Sequence, residues 1–487
     1  MKRITIDPIT RLEGHGKIEI FLKDSGDVEN VYFQVPELRG FEKFCEGRPV
    51  EELSQIVTKI CGVCPGCHHM GSGKAADAVY GVEPPPTAKK LRELFFMAHF
   101  IHSHIAHFYA LAAPDFVVGP DADPAKRNVL GVIEKVGTEI GTEVLKQRRI
   151  AQEIQALLGG HQTHVVMNIP GGVRKGLTKE ERDDVLKKGE GFVEFSKFSL
   201  KLFNDVVIQN KDYVDLILNG PYSLTLHSMG LVDENNKVNF YDGKVRVVDT
   251  EGKEHCKYAP DDYRDYVEER VETWSYLKFP YLKKIGWKGF VDGQDSGVYH
   301  ATPLSRLNAA DGMATPLAQV EYDKMYETLG GKPVHATLAM HWARLIELLY
   351  SSERLVELAS DPDITGSELR TPLTNVPDEG VGIVEAQRGT LTHHYWTDNK
   401  GIVKKANIIV GTTNNNAAIC MSLKKAAQGL IKKGVDVSDG ILNMIEMAFR
   451  AYDPCFSCAT HRLPGEMPLQ VNFRDKDGKI IRTVKRD

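Results

Sequence analysis

Two cysteine pairs at opposite ends of the chain constrain it more than any other feature. Cys61-Gly62-Val63-Cys64 is followed by Cys67 and His68, and Cys455-Phe456-Ser457-Cys458 is followed by His461. A C-x-x-C turn aims both sulfurs at one ion, so two such pairs offer a soft site with four thiolates. Hundreds of residues separate the pairs, so any fold that uses them together must bring its two ends to one point. Zinc sites built from two C-x-x-C pairs usually sit within one short ribbon, and a chain of 487 residues needs no metal staple to fold. Spacing alone cannot separate zinc, nickel, iron or an iron–sulfur cluster, nor show that the pairs share one site.

The chain has eight cysteines, too few for a disulfide framework at this length. The other four, Cys45, Cys67, Cys256 and Cys420, read as small buried hydrophobes. A formal net charge of -5 gives no electrostatic case for nucleic acid or anionic lipid. No apolar run reaches the ~18 residues of a membrane span, and the N-terminus lacks the apolar core of a signal peptide. A cytoplasmic protein is expected, although a subunit exported on a partner's signal would look the same. There is no G-x-G-x-x-G after a strand and no G-x-x-x-x-G-K-[ST] loop, so any organic electron carrier would be bound by another chain.

The periodicity predicts one domain, mainly α with small β-sheets at its edges. Residues 1–35 read as strands, 65–160 as helices with one unbroken helix over 125–158, and 178–217 as helices. Residues 229–258 read as a small surface insertion with a hairpin at Asp242-Gly243. Helices are expected at 260–278, 312–328, 335–359, 414–433 and 437–450, strands at 380–412, and a terminal hairpin turning at Asp477-Gly478. The histidines His99, His102, His104 and His107 lie on one helix and read as buried, hydrogen-bonded residues rather than ligands.

Five segments in order, Asp7-Pro8-Ile9-Thr10-Arg11-Leu12-Glu13-Gly14-His15, Arg39-Gly40-Phe41-Glu42, Cys61-Gly62-Val63-Cys64 with His68, Glu385-Ala386-Gln387-Arg388-Gly389, and Asp453 to His461, resemble the [NiFe]-hydrogenase large subunit. The resemblance spans residues 7 to 461 and implies the hydrogenase large-subunit fold and reversible heterolytic cleavage of molecular hydrogen. It implies nickel on Cys61, Cys64, Cys455 and Cys458, with Cys64 and Cys458 shared by an iron carrying cyanide and carbon monoxide. It further implies Glu13 as the first proton relay, Arg388 as a charged group beside the metals, and magnesium on Glu42 and His461. His68 would hydrogen-bond a cysteine sulfur, and Thr412 a cyanide.

Read without the family, Glu13 would be a salt-bridge partner of Arg11, and Glu42 a solvated helix carboxylate. Three positions depart from the family pattern: Gln387 and Gly411 stand where proline is frequent, and Ser103 where aspartate is. The extension 462–487 resembles a peptide that a maturation endopeptidase removes between His461 and Arg462, leaving 1–461 as the mature domain. Expected partners are an iron–sulfur small subunit plus further electron-transfer subunits, with heterodisulfide reductase as acceptor. Nicotinamide- and deazaflavin-linked hydrogenases are the near alternatives. A non-catalytic, zinc-holding or complex-I-like subunit is the alternative of another class.

Overall fold

The computed structural model describes residues 2–460, 469–474 and 479–486. Long helices build the middle of the molecule. Pro65–Val79 and Pro86–Ala106 both open on proline in the first turn, where the missing N–H costs nothing. Lys179–Phe203 opens on a capping box, with the Thr178 hydroxyl and the Glu181 carboxylate each accepting the other's backbone N–H. Met340–Ser360 packs between this helix and Pro86–Ala106, and Thr138–Gly159 covers the latter from its other side. The fold is mainly helical with small sheets, as the periodicity predicts.

Three strands, Lys2–Ile6, Lys17–Leu22 and Val28–Gln34, form an antiparallel meander at the N-terminus. A second meander, Glu379–Ala386, Gly389–Thr397 and Val403–Ile409, lies on the helix Pro65–Val79. Backbone meets backbone there, because a Cβ at Gly382 would lie 2.1 Å from the Gly71 carbonyl oxygen. Its first hairpin pairs Ala386 with Gly389, so Gln387 and Arg388 form the two-residue tip. Gly389 has φ +143°, and a Cβ on it would lie 2.4 Å from the Gly411 oxygen. Only glycine closes that tip.

Three expectations are corrected. The helix expected over 125–158 is two helices, Val129–Val136 and Thr138–Gly159, parted at Gly137 with φ +96°. Residues 260–278 are helical only at Pro260–Asp262 and Tyr263–Tyr266. Val267–Val271 is instead a strand antiparallel to Lys278–Leu282, and Glu268 and Glu269 find partners across the pair in Tyr281 and Lys278. Nor is 229–258 a surface insertion. His227–Val232 is buried along its whole length, lies between Lys244–Val248 and the parallel strand Tyr299–His300, and belongs to a second hydrophobic core. A strand covered on both faces shows no alternation. Asp242-Gly243 precedes Lys244–Val248 within the link from His227–Val232.

Charge is buried as completely as oil. Arg306 has no solvent exposure and ties together Glu347 Oε1 at 2.6 Å and Glu385 Oε2 at 2.9 Å; His104 Nε2 lies 3.0 Å from Glu347 Oε2. The four side chains lock the helices Pro86–Ala106, Pro303–Ala309 and Met340–Ser360 to the sheet that carries Arg388. Arg306→Met would leave two carboxylates buried without their cation, and a loss of about 3–5 kcal/mol is expected. Urea unfolding of the metal-free chain measures it; a loss below about 1 kcal/mol would contradict this assignment.

Candidate metal centre

Local structure delivers each cysteine. Cys61 follows the short 3₁₀ helix Val57–Ile60 in extended backbone. Cys64 is the N-cap of Pro65–Val79. Backbone N–H groups of Val63 and Cys64 both donate to Cys61 Sγ at 3.2 Å, which holds the first pair in a tight turn. Cys455 pairs with Glu13 in a single parallel β-bridge and then enters the turn of helix Phe456–Ala459. Arg39 joins the two halves: its guanidinium donates to the Ile60 oxygen at 2.5 Å and the Ser457 oxygen at 3.3 Å. Its backbone N–H meets the Thr460 oxygen at 2.9 Å.

The two pairs converge. Cys61 Sγ lies 3.2 Å from Cys455 Sγ, Cys64 Sγ 3.4 Å from Cys458 Sγ, and Cys455 Sγ 2.8 Å from Cys458 Sγ. All four sulfurs lie within 4.8 Å of one another, buried and without a disulfide. Sulfurs at ~2.3 Å from one ion stand roughly 3.8 Å apart, so a soft cation fits once the closest pair, Cys455 and Cys458, parts by about 1 Å. Burial opposes a thiolate at Cys61, but hydrogen bonds from the other three sulfurs and the charge of Arg388 outweigh it and hold Cys61 well below the usual thiol range. Burial pushes Cys455 and Cys458 well above it. Without a metal the four sulfurs thus share protons, and a bound cation would displace them. Cys67 lies outside the group; its thiol donates to Gln387 Oε1 at 2.9 Å and is pushed up by burial.

Glu13 meets the centre directly. The thiol of Cys455 donates to its Oε2 at 2.9 Å, and the Ser457 N–H donates to the same oxygen at 3.2 Å. Glu13 is half-buried, not sealed away, and Arg11 pairs with Asp115 at 2.5 Å instead. Arg388, carried on its hairpin tip, pairs with Asp453 at 2.9 Å. Burial opposes its charge, but Asp453 and the sulfurs of Cys64, Cys455 and Cys61 outweigh it and keep Arg388 protonated. Its Nε and Nη1 are buried with no hydrogen-bond partner among the described residues. Two unspent cationic donors beside four sulfurs suit an anionic group held on a metal.

Thr412 Oγ1 accepts the Cys455 N–H at 3.0 Å, leaving its own hydrogen free to donate. The bond to sulfur implied for His68 is not formed among the described residues: its Nδ1 lies 3.1 Å from His393 Nε2, and its buried Nε2 has no hydrogen-bond partner there. The helix histidines are buried, as expected: His99 meets Gln155 at 2.9 Å and His107 the Arg450 oxygen at 2.9 Å. Ser103 Oγ is buried and has no partner among the described residues. Glu42 is no solvated carboxylate. It accepts from Lys278 Nζ at 3.1 Å and the Ile408 N–H at 2.8 Å, and Lys278 also meets Glu269 at 3.1 Å. Burial raises the Glu42 carboxyl against the pull of Lys278. His461 and Arg462 lie outside the described residues, as does the Asp477-Gly478 turn. The strands flanking that turn, Leu469–Arg474 and Ile480–Arg486, pair antiparallel.

A family described as nickel-dependent hydrogenase matches residues 39–132 and 193–461, most of the chain and all four cysteines. The chain belongs to the nickel-dependent hydrogenase family. A second match, described as HoxL-like, covers residues 3–38. Over its full length, and that of the relative, the chain is 48% identical to an F420-non-reducing hydrogenase iron-sulfur subunit of Archaeoglobus profundus. Over 99% of this chain and all of the relative, it is 42% identical to an F420-non-reducing hydrogenase subunit of Methanothermobacter thermautotrophicus. To NAD-reducing hydrogenase HoxS subunit beta of Cupriavidus necator it is 37% identical, covering 99% of each.

Among solved structures, NAD+-reducing [NiFe]-hydrogenase in the H2-reduced state superposes with a TM-score of 0.89 at 37% identity, covering 95% of this chain and 100% of that one. The Ni-Fe-Se hydrogenase from D. vulgaris Hildenborough gives 0.74 at 25%, covering 94% and 100%. This hydrogenase chain is therefore the large, catalytic one, an oxidoreductase acting on hydrogen. No helix among the described residues is long and apolar enough to cross a membrane.

Local pattern assigns no role to Arg39 or Asp453. Both stand in the segments that carry the resemblance, but pairing across 418 residues, as Arg39 does with Ser457, leaves no mark on nearby sequence.

Proposed function

We propose that this hydrogenase subunit is of the F420-non-reducing type, works in the cytoplasm, and passes electrons through an iron–sulfur small subunit towards heterodisulfide reductase. The convergence of four cysteine sulfurs from both ends of the chain carries the catalytic part of this reading. Full-length identity of 48% to a relative named F420-non-reducing supports the acceptor part. Cys61, Cys64, Cys455 and Cys458 would hold nickel, Cys64 and Cys458 would share it with an iron bearing cyanide and carbon monoxide, and the pair would supply heterolytic cleavage of hydrogen.

The chain's own residues then have defined work. Cys455 Sγ hands a proton to Glu13 Oε2 across the 2.9 Å contact, and the Ser457 N–H steadies the carboxylate between transfers. Asp453 anchors Arg388 by one side of its guanidinium, so the charge stays next to the sulfurs. Arg388 is a positioning and electrostatic group, since a guanidinium cannot act as a base here. The free Thr412 hydroxyl hydrogen suits a cyanide acceptor. Glu42 and Glu269 exceed the charge of Lys278 by one, which favours a cation such as magnesium, with His461 as a further ligand. The extension 462–487 would hold the last segment open until nickel is inserted, and an endopeptidase would then cut between His461 and Arg462.

The acceptor is tested with the purified complex under hydrogen. Methyl viologen should be reduced, with F420 and NAD+ reduced at least about 100-fold more slowly. Fast NAD+ reduction would instead favour the nicotinamide-linked type, which the similarity to HoxS subunit beta makes the second reading.

A further inference from the structure

Away from the cysteines, one buried histidine has nothing to bond to. His227 opens the strand His227–Val232. It is 0% exposed, and neither of its ring nitrogens has a hydrogen-bond partner among the described residues. His68, His99, His104 and His107 are as deeply set, but each bonds through one nitrogen. A neutral imidazole carries one donor and one acceptor. Leaving a buried polar group unmatched costs about 1–3 kcal/mol, so this position calls for a ligand from outside the chain.

The neighbouring ring is His255. The two ring centroids lie 5.1 Å apart, with their planes at 77°. Two imidazoles bound to one tetrahedral ion through nitrogens at ~2.0–2.1 Å have centroids roughly 5 Å apart, so the spacing is that of a chelating pair. A β-bulge puts His255 there. Cys256 lies opposite Val247 and Glu254 opposite Val248, which leaves His255 as the extra residue between them. A bulge re-aims a side chain, and this one brings His255 to a ring on the far side of Lys244–Val248.

The charges suit a cation. Burial lowers the His227 pKa to about 4 and lowers that of His255 as well. Both rings are therefore neutral near pH 7, with lone pairs that no proton contests. Asp249 is the acid that acts on both. Its Oδ1 accepts from the N–H groups of Glu251 and Lys253 at 2.9 Å each, and its Oδ2 from Gln294 Nε2 at 3.0 Å, so it is held in place as countercharge. Lys284 acts against a cation at His255. His255 is only half-buried, which gives an ion a way in.

We infer that His227 and His255 form a further metal site, separate from the four sulfurs, which takes a borderline divalent cation such as zinc, with water completing its coordination and Asp249 balancing its charge. Imidazole nitrogens select zinc, nickel or copper over magnesium and calcium. The ion would tie His227–Val232 to Glu254–Tyr258 across the strand between them. Nothing in this site depends on the hydrogenase reading.

The test is calorimetric titration of zinc into the purified full-length protein with its own metals in place, wild type against His227→Gln and His255→Gln. Wild type should bind one equivalent more than either variant. Losing an outer partner of a metal ligand costs about 10–100-fold, so losing one of two imidazoles should weaken that equivalent at least about 100-fold. Magnesium should not compete for it. His335→Gln is the control: His335 Nε2 lies 3.0 Å from the Thr250 oxygen in the turn after Asp249, and its loss should leave zinc binding as in wild type. Hydrogen turnover, which neither ligand histidine serves, checks that the variants are folded. If His227→Gln fails to fold, His255→Gln at its half-buried position decides alone. The absence of the extra equivalent in wild type would overturn the inference. So would equal binding in wild type and the variants, which would mean adventitious zinc on the surface only. Because the comparison is between variants, zinc taken up by the cysteines would refute the hydrogenase reading and leave this result standing.

Discussion

Cys458→Ala should abolish hydrogen turnover in the assembled enzyme. Cys458 is the hub of the sulfur group, 2.8 Å from Cys455 and 3.4 Å from Cys64, and it comes from the opposite end of the chain to Cys64. Alanine leaves three sulfurs and a methyl group at a position where a soft cation needs an anionic donor. Losing an outer partner of a metal ligand costs about 10–100-fold, so losing the ligand itself should exceed about 100-fold, with nickel content falling in parallel. Cys67→Ala is the control. Cys67 is as buried as the four and close to them in sequence, but its thiol is spent on Gln387. That variant should keep its nickel and remain within about 10-fold of wild type. Equal losses in the two variants would mean that the four-sulfur group is not the centre.

Glu13→Gln should separate metal binding from proton transfer. Glutamine keeps the shape of the side chain and an oxygen for the Ser457 N–H, but it cannot take the Cys455 proton. Losing a general base within hydrogen-bond reach costs about 10²–10⁴ in rate, so turnover should fall in that range while nickel and iron contents stay at wild-type levels. Hydrogen–deuterium exchange with solvent reads the same step and should fall with it. Unchanged turnover would remove Glu13 from the proton path.

The chemistry was more legible in the sequence than the architecture. Two C-x-x-C pairs marked the four sulfurs that converge, because a short spacer is local information. Their meeting was not local. It depends on Arg39 reaching Ile60 and Ser457, and on the bridge between Glu13 and Cys455. The helices were legible from their period and their prolines, except where one residue decided. Gly137 with positive φ splits a run that reads as continuous. The misreading of Val267–Val271 has a similar cause. Its charges suit a helix by propensity, but tertiary pairing wins: the strand places Glu269 at 3.1 Å from Lys278, beside Glu42. His68 was legible as part of the first cysteine segment but not in its partner. Its hydrogen bond runs to a strand 325 residues away, and nothing local in the sequence names a partner that far off.

Metal analysis with infrared spectroscopy of the purified, mature subunit tests the convergence of the two cysteine pairs on one nickel–iron centre most directly. Nickel and iron should appear in equal amounts, both lost in Cys458→Ala, with infrared bands of metal-bound cyanide and carbon monoxide in the wild type. Zinc alone, with no such bands, would contradict it.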